Sequence, residues 1–260
     1  MSEYKTLSVE IDGRGIASLV LDRPEKRNAL SGEMIAELTH FAETTKARAV
    51  ILSGAGEVFC AGGDLAWMQT QIAADRATRM AEARKLAGML KALNEMPVPL
   101  IARIHGGAFG GGVGMACVAD VAIAAEGTKF GLTETRLGLI PATIGPYVLA
   151  RMGEGRARRV FMSARIFEAS EAVDLGIVAR AVPAKALDDA IEAEVAPYLS
   201  TAPGAVGRAK ALARALGPRI DKEVIEDTIS RLADAWETDE ARDGIDAFFA
   251  KRPAPWVGNT

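Results

Sequence analysis

The sequence of 260 residues has few of the residues that metal sites and disulfide frameworks require. Its two cysteines, Cys60 and Cys117, form no C-x-x-C pair, which argues against a disulfide scaffold and against a zinc ribbon. Its two histidines, His40 and His105, are too few for a metal site built on histidine. The sequence therefore predicts a protein whose function does not depend on a bound metal.

Charge and hydrophobic patterning exclude two further classes of protein. The formal net charge is −3, whereas nucleic-acid binding depends on an excess of basic residues that neutralise phosphates. No stretch of about 18 apolar residues is present, and the N-terminal segment MSEYKTLSVEIDG lacks the basic-then-apolar order of a signal peptide. We expect a soluble, cytoplasmic protein that binds neither nucleic acid nor membranes.

Strand-like and helix-like patterns alternate along most of the chain. Residues Leu7–Asp12 and Ile16–Leu21 alternate apolar and polar side chains and predict a β-hairpin. Apolar residues with helical spacing predict one helix from Gln71 to Leu93. After Pro203-Gly204 the patterns indicate helices and no strands. Together they predict an α/β core over residues 1–200 and a helical C-terminal region over residues 201–260.

The segment from His105 to Pro141 is the strongest sign of function, and it contains six glycines between Gly106 and Gly114. At a junction between a strand and a helix, glycine lets the backbone approach a ligand and leaves free N–H groups pointing outward. Such N–H groups suit a phosphate or the oxygen of an enolate. Glu134 follows, a carboxylate that can move protons. An anion-binding turn combined with a proton-handling group predicts an enzyme.

Three anion-binding motifs compete for these glycines. A P-loop requires G-x-x-x-x-G-K-[ST], and no lysine lies near them. A dinucleotide-binding fingerprint requires G-x-G-x-x-G, but Gly112 and Gly114 are followed by Cys117. The next predicted strand also begins too soon after Gly114 for an ordinary crossover helix. An oxyanion site for an acyl group fits with least conflict, and a tight turn without any ligand stays open.

A second glycine loop, FCAGGDLAWM, supports the oxyanion interpretation. Ala61, Gly62 and Gly63 again follow a predicted strand and precede a helix whose start Asp64 can cap. Two such turns could each supply one backbone N–H to the same oxygen. Cys60 as a nucleophile would need a paired base, so a buried thiol is the favoured interpretation for it.

Several motifs of the chain resemble those of one known family. They are RPEKRNAL, FCAGGDL, HGGAFGGGVGMACVADVAIA, FGLTETRLGLIP, SARIFEASEAVDLGIVARAVP and FFAKRPAPW, spread over essentially the whole length. They are similar to motifs of the crotonase (enoyl-CoA hydratase/isomerase) superfamily. The resemblance implies an α/β fold, a crotonase-like spiral of ββα units with a helical C-terminal trimerisation region. It also implies assembly as a homotrimer or homohexamer.

The resemblance implies an acyl-CoA thioester as the substrate. Coenzyme A is then part of the substrate, and no separate cofactor is expected. The thioester oxygen would accept hydrogen bonds from the backbone N–H groups of Ala61 and Gly111. Glu134, in the FGxxE segment, would be the catalytic acid and base. Polarising the carbonyl in this way stabilises an enolate, so that a carboxylate can move protons at the neighbouring carbons.

Basic residues are implied at the CoA end of the site. Lys26 and Arg27 would lie near the CoA phosphates, joined by Lys251 of a neighbouring subunit. Ordinary solvated side chains are an equal alternative for all three. The other predicted substrate contacts are Ala29, Gly62, Gly63, Asp64, Leu65, Trp67, Gly110, Gly114, Thr143 and Tyr147.

The chain departs from the family pattern at two places. Hydratases of the superfamily typically carry a second glutamate on the glycine-rich helix, where this sequence has Gly114. The segment PATIGPYVLARMGEGRARR, which starts at Pro141, replaces a glycine-rich run of the GGTQRL type. Together with Trp67, these features look like those of bacterial 3-methylglutaconyl-CoA hydratases. The substrates of those enzymes have an acyl chain that ends in a carboxylate. The candidate partners of that carboxylate are Thr143, Tyr147 and Arg79.

The sequence as a whole predicts a lyase that hydrates an enoyl-CoA, with one carboxylate at its centre. One alternative is an enoyl-CoA Δ3–Δ2 isomerase, because proton shuttling needs only one carboxylate. A second alternative is an acyl-CoA-binding protein that has lost catalysis together with the second glutamate.

Overall fold

The computed structural model describes residues 4–258 and shows two β-sheets surrounded by helices. The strands are β1 (Leu7–Ile11), β2 (Ile16–Leu21), β3 (Ala49–Gly54), β4 (Leu100–Ile104), β5 (Gly107–Phe109), β6 (Val121–Ala125), β7 (Lys129–Gly131), β8 (Ile166–Glu168) and β9 (Arg180–Val182). The larger sheet has the order β1-β2-β3-β4-β6-β9 and is parallel except for the β1–β2 pair. The smaller sheet has the order β5-β7-β8.

The helices lie on both faces of the larger sheet and continue beyond it. They are α1 (Gly32–Thr44), α2 (Leu65–Ala73), α3 (Arg76–Glu95), α4 (Gly111–Val118), α5 (Gly145–Met152), α6 (Glu154–Phe161), α7 (Ala169–Asp174), α8 (Leu187–Val195), α9 (Pro203–Leu216), α10 (Lys222–Trp236) and α11 (Asp239–Phe249). Short 3₁₀ turns cover Pro24–Lys26, Glu134–Leu137, Ala184–Ala186 and Ala196–Ser200.

Two local predictions have different outcomes. The hairpin is confirmed, because β1 and β2 pair antiparallel with Leu7 opposite Leu21. The helix predicted from Gln71 to Leu93 is confirmed from Arg76 onward, but its first residues belong to the separate helix α2. Asp75 accepts a hydrogen bond from the Thr78 N–H and so begins α3 as a new helix after a break.

The core fills both sides of the larger sheet. On one side Leu52 packs in a cluster with Leu38 of α1 and Leu93 of α3. On the other side Ile101 packs in a cluster with Ile191 of α8. Central parallel strands that are buried on both faces consist mainly of apolar residues, as β3 and β4 do here. The predicted α/β fold is confirmed.

The C-terminal helices pack back onto this core. Ile229 of α10 is fully buried in a cluster with Ala83 and Ala87 of α3. Ala241 and Ile245 of α11 form a cluster with the segment that follows the Glu134–Leu137 turn. The prediction that the chain after residue 200 forms helices and no strands is confirmed up to residue 258. The division at residue 200 and the role in trimerisation stay predictions.

Candidate active site

The first glycine loop lies in register with β5. Cys60 and Ala108 form a parallel bridge, in which the Cys60 N–H donates to the Gly107 carbonyl at 3.1 Å. The Phe109 N–H donates to the Cys60 carbonyl at 3.0 Å. Parallel segments that are paired in this way end at the same edge. The residues that follow Cys60 therefore lie beside the residues that open α4.

The segment that leads to Glu134 ends at the same edge. β7 pairs in parallel with β5, with Gly131 opposite Phe109. The Gly110 N–H continues this pairing by donating to the Gly131 carbonyl at 3.0 Å. Glu134 comes three positions after Gly131. The two glycine loops and Glu134 are thus brought together by one short parallel sheet.

Glycine is required where these segments touch. Gly62 has a φ of +98°, and a Cβ on it would lie 3.2 Å from the Phe109 carbonyl oxygen. Gly110 has a φ of +47°, and a Cβ on it would lie 3.1 Å from Oε1 of Glu134. Both positions combine a left-handed backbone with a close approach that a side chain would block.

A buried asparagine, which the sequence analysis missed, fixes the loop before α1. The Asn28 side chain is fully buried and donates to the carbonyls of Ala55 and Val58 at 2.8 and 2.9 Å. Its Oδ1 accepts from the Arg23 N–H at 2.9 Å. Its φ of +54° is one that asparagine tolerates better than most residues, which is a signal available from sequence. Asn28 thereby ties this loop to the chain that enters the first glycine loop.

The prediction that Ala61 donates to the substrate oxygen is wrong. The Ala61 N–H donates to the Arg27 carbonyl at 3.0 Å, within the loop that Asn28 fixes. A backbone N–H engaged in this way cannot also point at a ligand in the cavity. Ala61 does line the cavity, but as a wall.

Several backbone N–H groups on these two turns have no acceptor among the described residues, and those of Gly63 and Gly111 are two of them. Leu30 and Gly63 form a bridge in which the Leu30 N–H donates to the Gly62 carbonyl and the Asp64 N–H donates to the Leu30 carbonyl. The Gly63 N–H takes no part in this bridge and has no acceptor within residues 4–258. In α4 the first hydrogen bond of the helix runs from the Gly114 N–H to the Gly110 carbonyl. The N–H of Gly111 lies before this bond and therefore has no acceptor within the helix. Gly63 and Gly111 both line the same cavity.

Glu134 carries a buried carboxyl group. Its Oε2 is inaccessible to solvent and has no hydrogen-bond partner among the described residues. Burial raises the pKa of Glu134 from 4.5 to about 7, against a smaller opposing effect of a backbone hydrogen bond. At neutral pH the group is therefore present in both its protonated and its ionised forms, as proton transfer in both directions requires.

Helix α11 holds the turn that carries Glu134. Gly138, with a φ of +68°, ends the turn against the backbone of Glu240, where a Cβ would collide. Gly244 of α11 faces the same turn, and a Cβ on it would lie 2.7 Å from the Leu137 carbonyl carbon. Two glycines thus allow the backbones to lie in direct contact, which fixes the position of Glu134.

A cavity of about 400 Å³ opens between the two glycine loops and the C-terminal helices. Most of its walls are apolar, and they include Leu65, Trp67, Leu139, Ile144, Trp236 and Phe248. Glu134 and Arg136 are the ionisable side chains among the described residues that line it. Arg136 is exposed at the cavity wall and makes no ion pair with another residue between positions 4 and 258.

The structure brings together part of the predicted set. The predicted residues that line the cavity are Ala61, Gly62, Gly63, Leu65, Trp67, Gly110, Gly111, Glu134 and Thr143. Those that lie elsewhere are Lys26, Arg27, Ala29, Asp64, Gly114, Tyr147 and Lys251. Lys26, Arg27 and Lys251 are exposed, and their role toward CoA stays a prediction.

Two of the predicted substrate contacts, Asp64 and Gly114, are wrong because other contacts occupy them. Asp64 caps α2 by accepting from the Ala66 N–H at 2.8 Å and pairs with Arg23 at 2.9 Å. Ala29 is buried and its carbonyl also accepts from Arg23, and its contact with the substrate stays a prediction. Gly114 is buried in α4 against Ile144 and does not reach the cavity.

Two predicted partners of a substrate carboxylate are also wrong. Tyr147 is buried and lines a different cavity, together with Lys210. The Arg79 guanidinium donates to the Gln71 and Ile72 carbonyls at 2.8 and 3.0 Å, which holds the end of α2. Of the three candidates, Thr143 alone lies at the cavity with Glu134.

Other chemistries find little support in the described residues. Burial raises the pKa of the Cys60 thiol to about 12, which confirms the interpretation of a buried, unreactive thiol. Within residues 4–258 no three His, Cys, Asp or Glu side chains are grouped to hold a metal ion. Over the same residues, no helix has the length and apolar character that a membrane crossing needs. A buried carboxyl group and backbone N–H groups that lack acceptors among the described residues form an arrangement that suits enzyme chemistry on an acyl compound.

The chain belongs to the enoyl-CoA hydratase/isomerase family, whose sequence profile matches residues 12–259. It is 34% identical over 256 residues to a Thermus thermophilus protein named as an enoyl-CoA hydratase, with 94% of this chain and 98% of that protein covered. A crystal structure of an enoyl-CoA hydratase from Shewanella pealeana is 37% identical, with a TM-score of 0.79 and coverage of 98% and 97%. An enoyl-CoA hydratase/isomerase structure from Marinobacter aquaeolei is 34% identical, with a TM-score of 0.78 and coverage of 98% and 100%. The crotonase fold is confirmed.

The raised pKa of Glu134 predicts a pH-dependent change in stability. The folded state binds a proton more tightly than the unfolded chain, so this contribution to stability is complete below the unfolded pKa near 4.5 and is lost as pH rises through about 7. Glu134→Gln removes the titration. Between pH 5 and pH 8, the Tm of the variant should rise relative to wild type by about 2–5 °C. A Tm difference that does not change with pH would show that the carboxyl group is not buried.

Proposed function

We propose that the protein is an enoyl-CoA hydratase, a lyase that adds water across the 2,3 double bond of an enoyl-CoA. The observation that carries the proposal is the buried carboxyl group of Glu134 beside two free backbone N–H groups at an apolar cavity. Membership of the enoyl-CoA hydratase/isomerase family supports it.

The N–H groups of Gly63 and Gly111 are the proposed oxyanion donors. The thioester oxygen accepts from both, and these hydrogen bonds strengthen as negative charge develops on it in the transition state. The apolar walls keep the local dielectric constant low, which makes each hydrogen bond to the enolate oxygen stronger than in water. Gly63 takes the role that the sequence analysis gave to Ala61.

Glu134 is the proposed base and acid in turn. Its carboxylate takes a proton from water while the hydroxyl oxygen bonds to C3, and the π electrons move to the thioester oxygen as an enolate. The carboxylic acid then returns its proton to C2. The enolate collapses, which restores the thioester carbonyl and the carboxylate. A pKa of about 7 allows Glu134 to serve in both steps at neutral pH.

An isomerase remains the second candidate. The observation in its favour is that Glu134 is the sole carboxyl group among the described residues of the cavity wall. Moving a double bond needs one group that removes a proton from one carbon and returns it to another. The two reactions give different products, a 3-hydroxyacyl-CoA and a shifted alkene.

We further propose that the acyl chain ends in a carboxylate, as in 3-methylglutaconyl-CoA. Arg136 supports this choice, because its guanidinium group lies at the cavity without an anionic partner in the described chain. A guanidinium group binds a carboxylate through two parallel hydrogen bonds. The hydroxyl group of Thr143 lies at the same cavity. Arg136 was not predicted from the sequence, where one exposed arginine has no distinguishing pattern.

We also propose a homotrimer or homohexamer joined through the C-terminal helices, in the cytoplasm. Leu212 and Leu216, one turn apart on α9, are 61% and 80% exposed. Apolar side chains exposed side by side on a helix favour a contact with a second subunit. The exposed Lys251, which follows α11, is proposed to act near the CoA phosphates. The reaction proposed above uses the substrate carbonyl and one carboxyl group, so it requires no further cofactor.

The proposed function predicts that Glu134→Gln loses turnover but not binding. Its kcat should fall about 10²–10⁴-fold because it can no longer move a proton. The Kd for the CoA ester should stay within about threefold, because the side chain keeps its shape. Turnover of crotonyl-CoA and 3-methylglutaconyl-CoA is followed by chromatography that separates 3-hydroxyacyl-CoA from a shifted alkene.

The outcomes of this assay separate the candidates. Wild-type formation of the shifted alkene alone would identify an isomerase. Tight binding without turnover on either substrate would identify a non-catalytic protein. A Glu134→Gln variant that keeps more than about a third of wild-type kcat would remove Glu134 from the mechanism.

The assignment of Gly63 as an oxyanion donor predicts different effects of two substitutions on kcat. Gly63→Pro deletes the free N–H and should lower kcat about 10²–10³-fold. Gly63→Ala keeps the N–H, and a Cβ there meets no atom within 4 Å, so kcat should stay near wild type. The Tm of both variants is the control, since this N–H makes no hydrogen bond within the described chain. Equal kcat for the two variants would contradict the assignment.

The assignment of Arg136 predicts a change in substrate preference. Arg136→Gln should lower kcat/KM for 3-methylglutaconyl-CoA about 10–100-fold, because a charge-assisted hydrogen bond is lost. Its kcat/KM for crotonyl-CoA should change less than about threefold. Arg136→Lys keeps the charge and should lie between the wild type and the Gln variant. Equal losses for both substrates would place Arg136 at the CoA moiety instead.

A further inference from the structure

One side chain, Ile144, closes the wall between α4 and the catalytic cavity. A Cβ built on the buried Gly114 would lie 2.7 Å from Cγ2 and 3.2 Å from Cβ of Ile144. It would lie 3.5 Å from Cδ2 of Leu90. Carbon atoms in favourable contact are about 3.5–4.0 Å apart. Ile144 therefore already fills the place of any side chain at position 114.

Ile144 is held rigidly in this place. It is 2% exposed and lies directly before α5, where its carbonyl accepts from the Tyr147 and Val148 N–H groups at 3.1 and 3.0 Å. A β-branched side chain has restricted rotation about χ1, so its methyl group cannot easily turn away. Its other side faces the cavity that contains Glu134.

We propose that Ile144 is a specificity-determining residue that restricts this site to one carboxyl group. This inference rests on the proposed hydratase function and extends it. A side chain at position 114 would have to displace Ile144 before it reached the cavity. Ile144, in the PATIG segment, can therefore occupy this place only because residue 114 has no side chain.

The restriction has a chemical consequence. With one carboxyl group, the proton that Glu134 takes from water is the proton that it returns to C2. A second carboxyl group would separate base from acid, and it would also place another negative charge beside Glu134. That charge would repel a carboxylate at the end of the acyl chain. An apolar residue at position 144 thus suits an anionic substrate.

A stability measurement tests the packing without any activity. Gly114→Ala should lower Tm in the wild type and also in Ile144→Val, which keeps Cγ2. In Ile144→Ala, which lacks Cγ2, the same substitution should lower Tm by less than half as much. The quantity compared is the change in Tm that Gly114→Ala causes within each background. The loss of Tm caused by the cavity of Ile144→Ala is present with and without Gly114→Ala, so it cancels. Equal losses of Tm in all three backgrounds would overturn the proposal.

A kinetic measurement tests the number of carboxyl groups. In a Glu134→Gln background, Gly114→Glu combined with Ile144→Ala should hydrate crotonyl-CoA at least 10-fold faster than Glu134→Gln alone. Gly114→Glu with Ile144→Val should give less than a threefold gain, because the methyl group still blocks the new side chain. An equal gain with Ile144→Val, or no gain with Ile144→Ala, would overturn the proposal. Absence of hydration by the wild type would instead refute the proposed function, which the Tm comparison does not involve.

Discussion

The backbone pairing of Cys60 with Ala108 is the contact on which the site depends. It sets the first glycine loop alongside β5, so that Gly62 lies against the carbonyl of Phe109. If this pairing shifted by one residue, each residue of the first glycine loop would turn to the opposite face. Gly63 would then no longer be placed at the cavity beside the start of α4. Two loops far apart in the chain form one site because of this pairing.

The same geometry buries the carboxyl group of Glu134. Gly110 leaves room for Glu134 beside the turn, and α11 covers the turn through Gly138 and Gly244. The resulting burial raises the pKa of Glu134 to about 7. This shift corresponds to about 3 kcal/mol of lost stability when the group is ionised. Buried carboxyl groups with pKa values near neutrality are a frequent mark of catalysis, because they can both accept and return a proton.

Part of this arrangement follows from local sequence patterns. The β1–β2 hairpin and the helices that begin after both glycine loops are encoded by residue type and spacing. The three-residue strands β5, β7 and β8 are too short to show alternation, so their register could not be predicted. The error at Ala61 has a similar cause, because the direction of an N–H group depends on the distant carbonyl of Arg27. The contact of Ile144 with Gly114 likewise exists only in three dimensions.

The most direct test of a shared oxyanion site is the infrared carbonyl band of a bound thioester. An enoyl-CoA labelled with carbon-13 at the thioester carbon would be bound to Glu134→Gln, in which turnover is slow enough for the bound substrate to be observed. Two backbone N–H groups that donate to the oxygen weaken the carbonyl bond. We therefore expect the carbonyl band of the bound thioester at a lower wavenumber than in solution, and a smaller displacement when Gly63→Pro is added. A band at the solution position in Glu134→Gln would contradict the account.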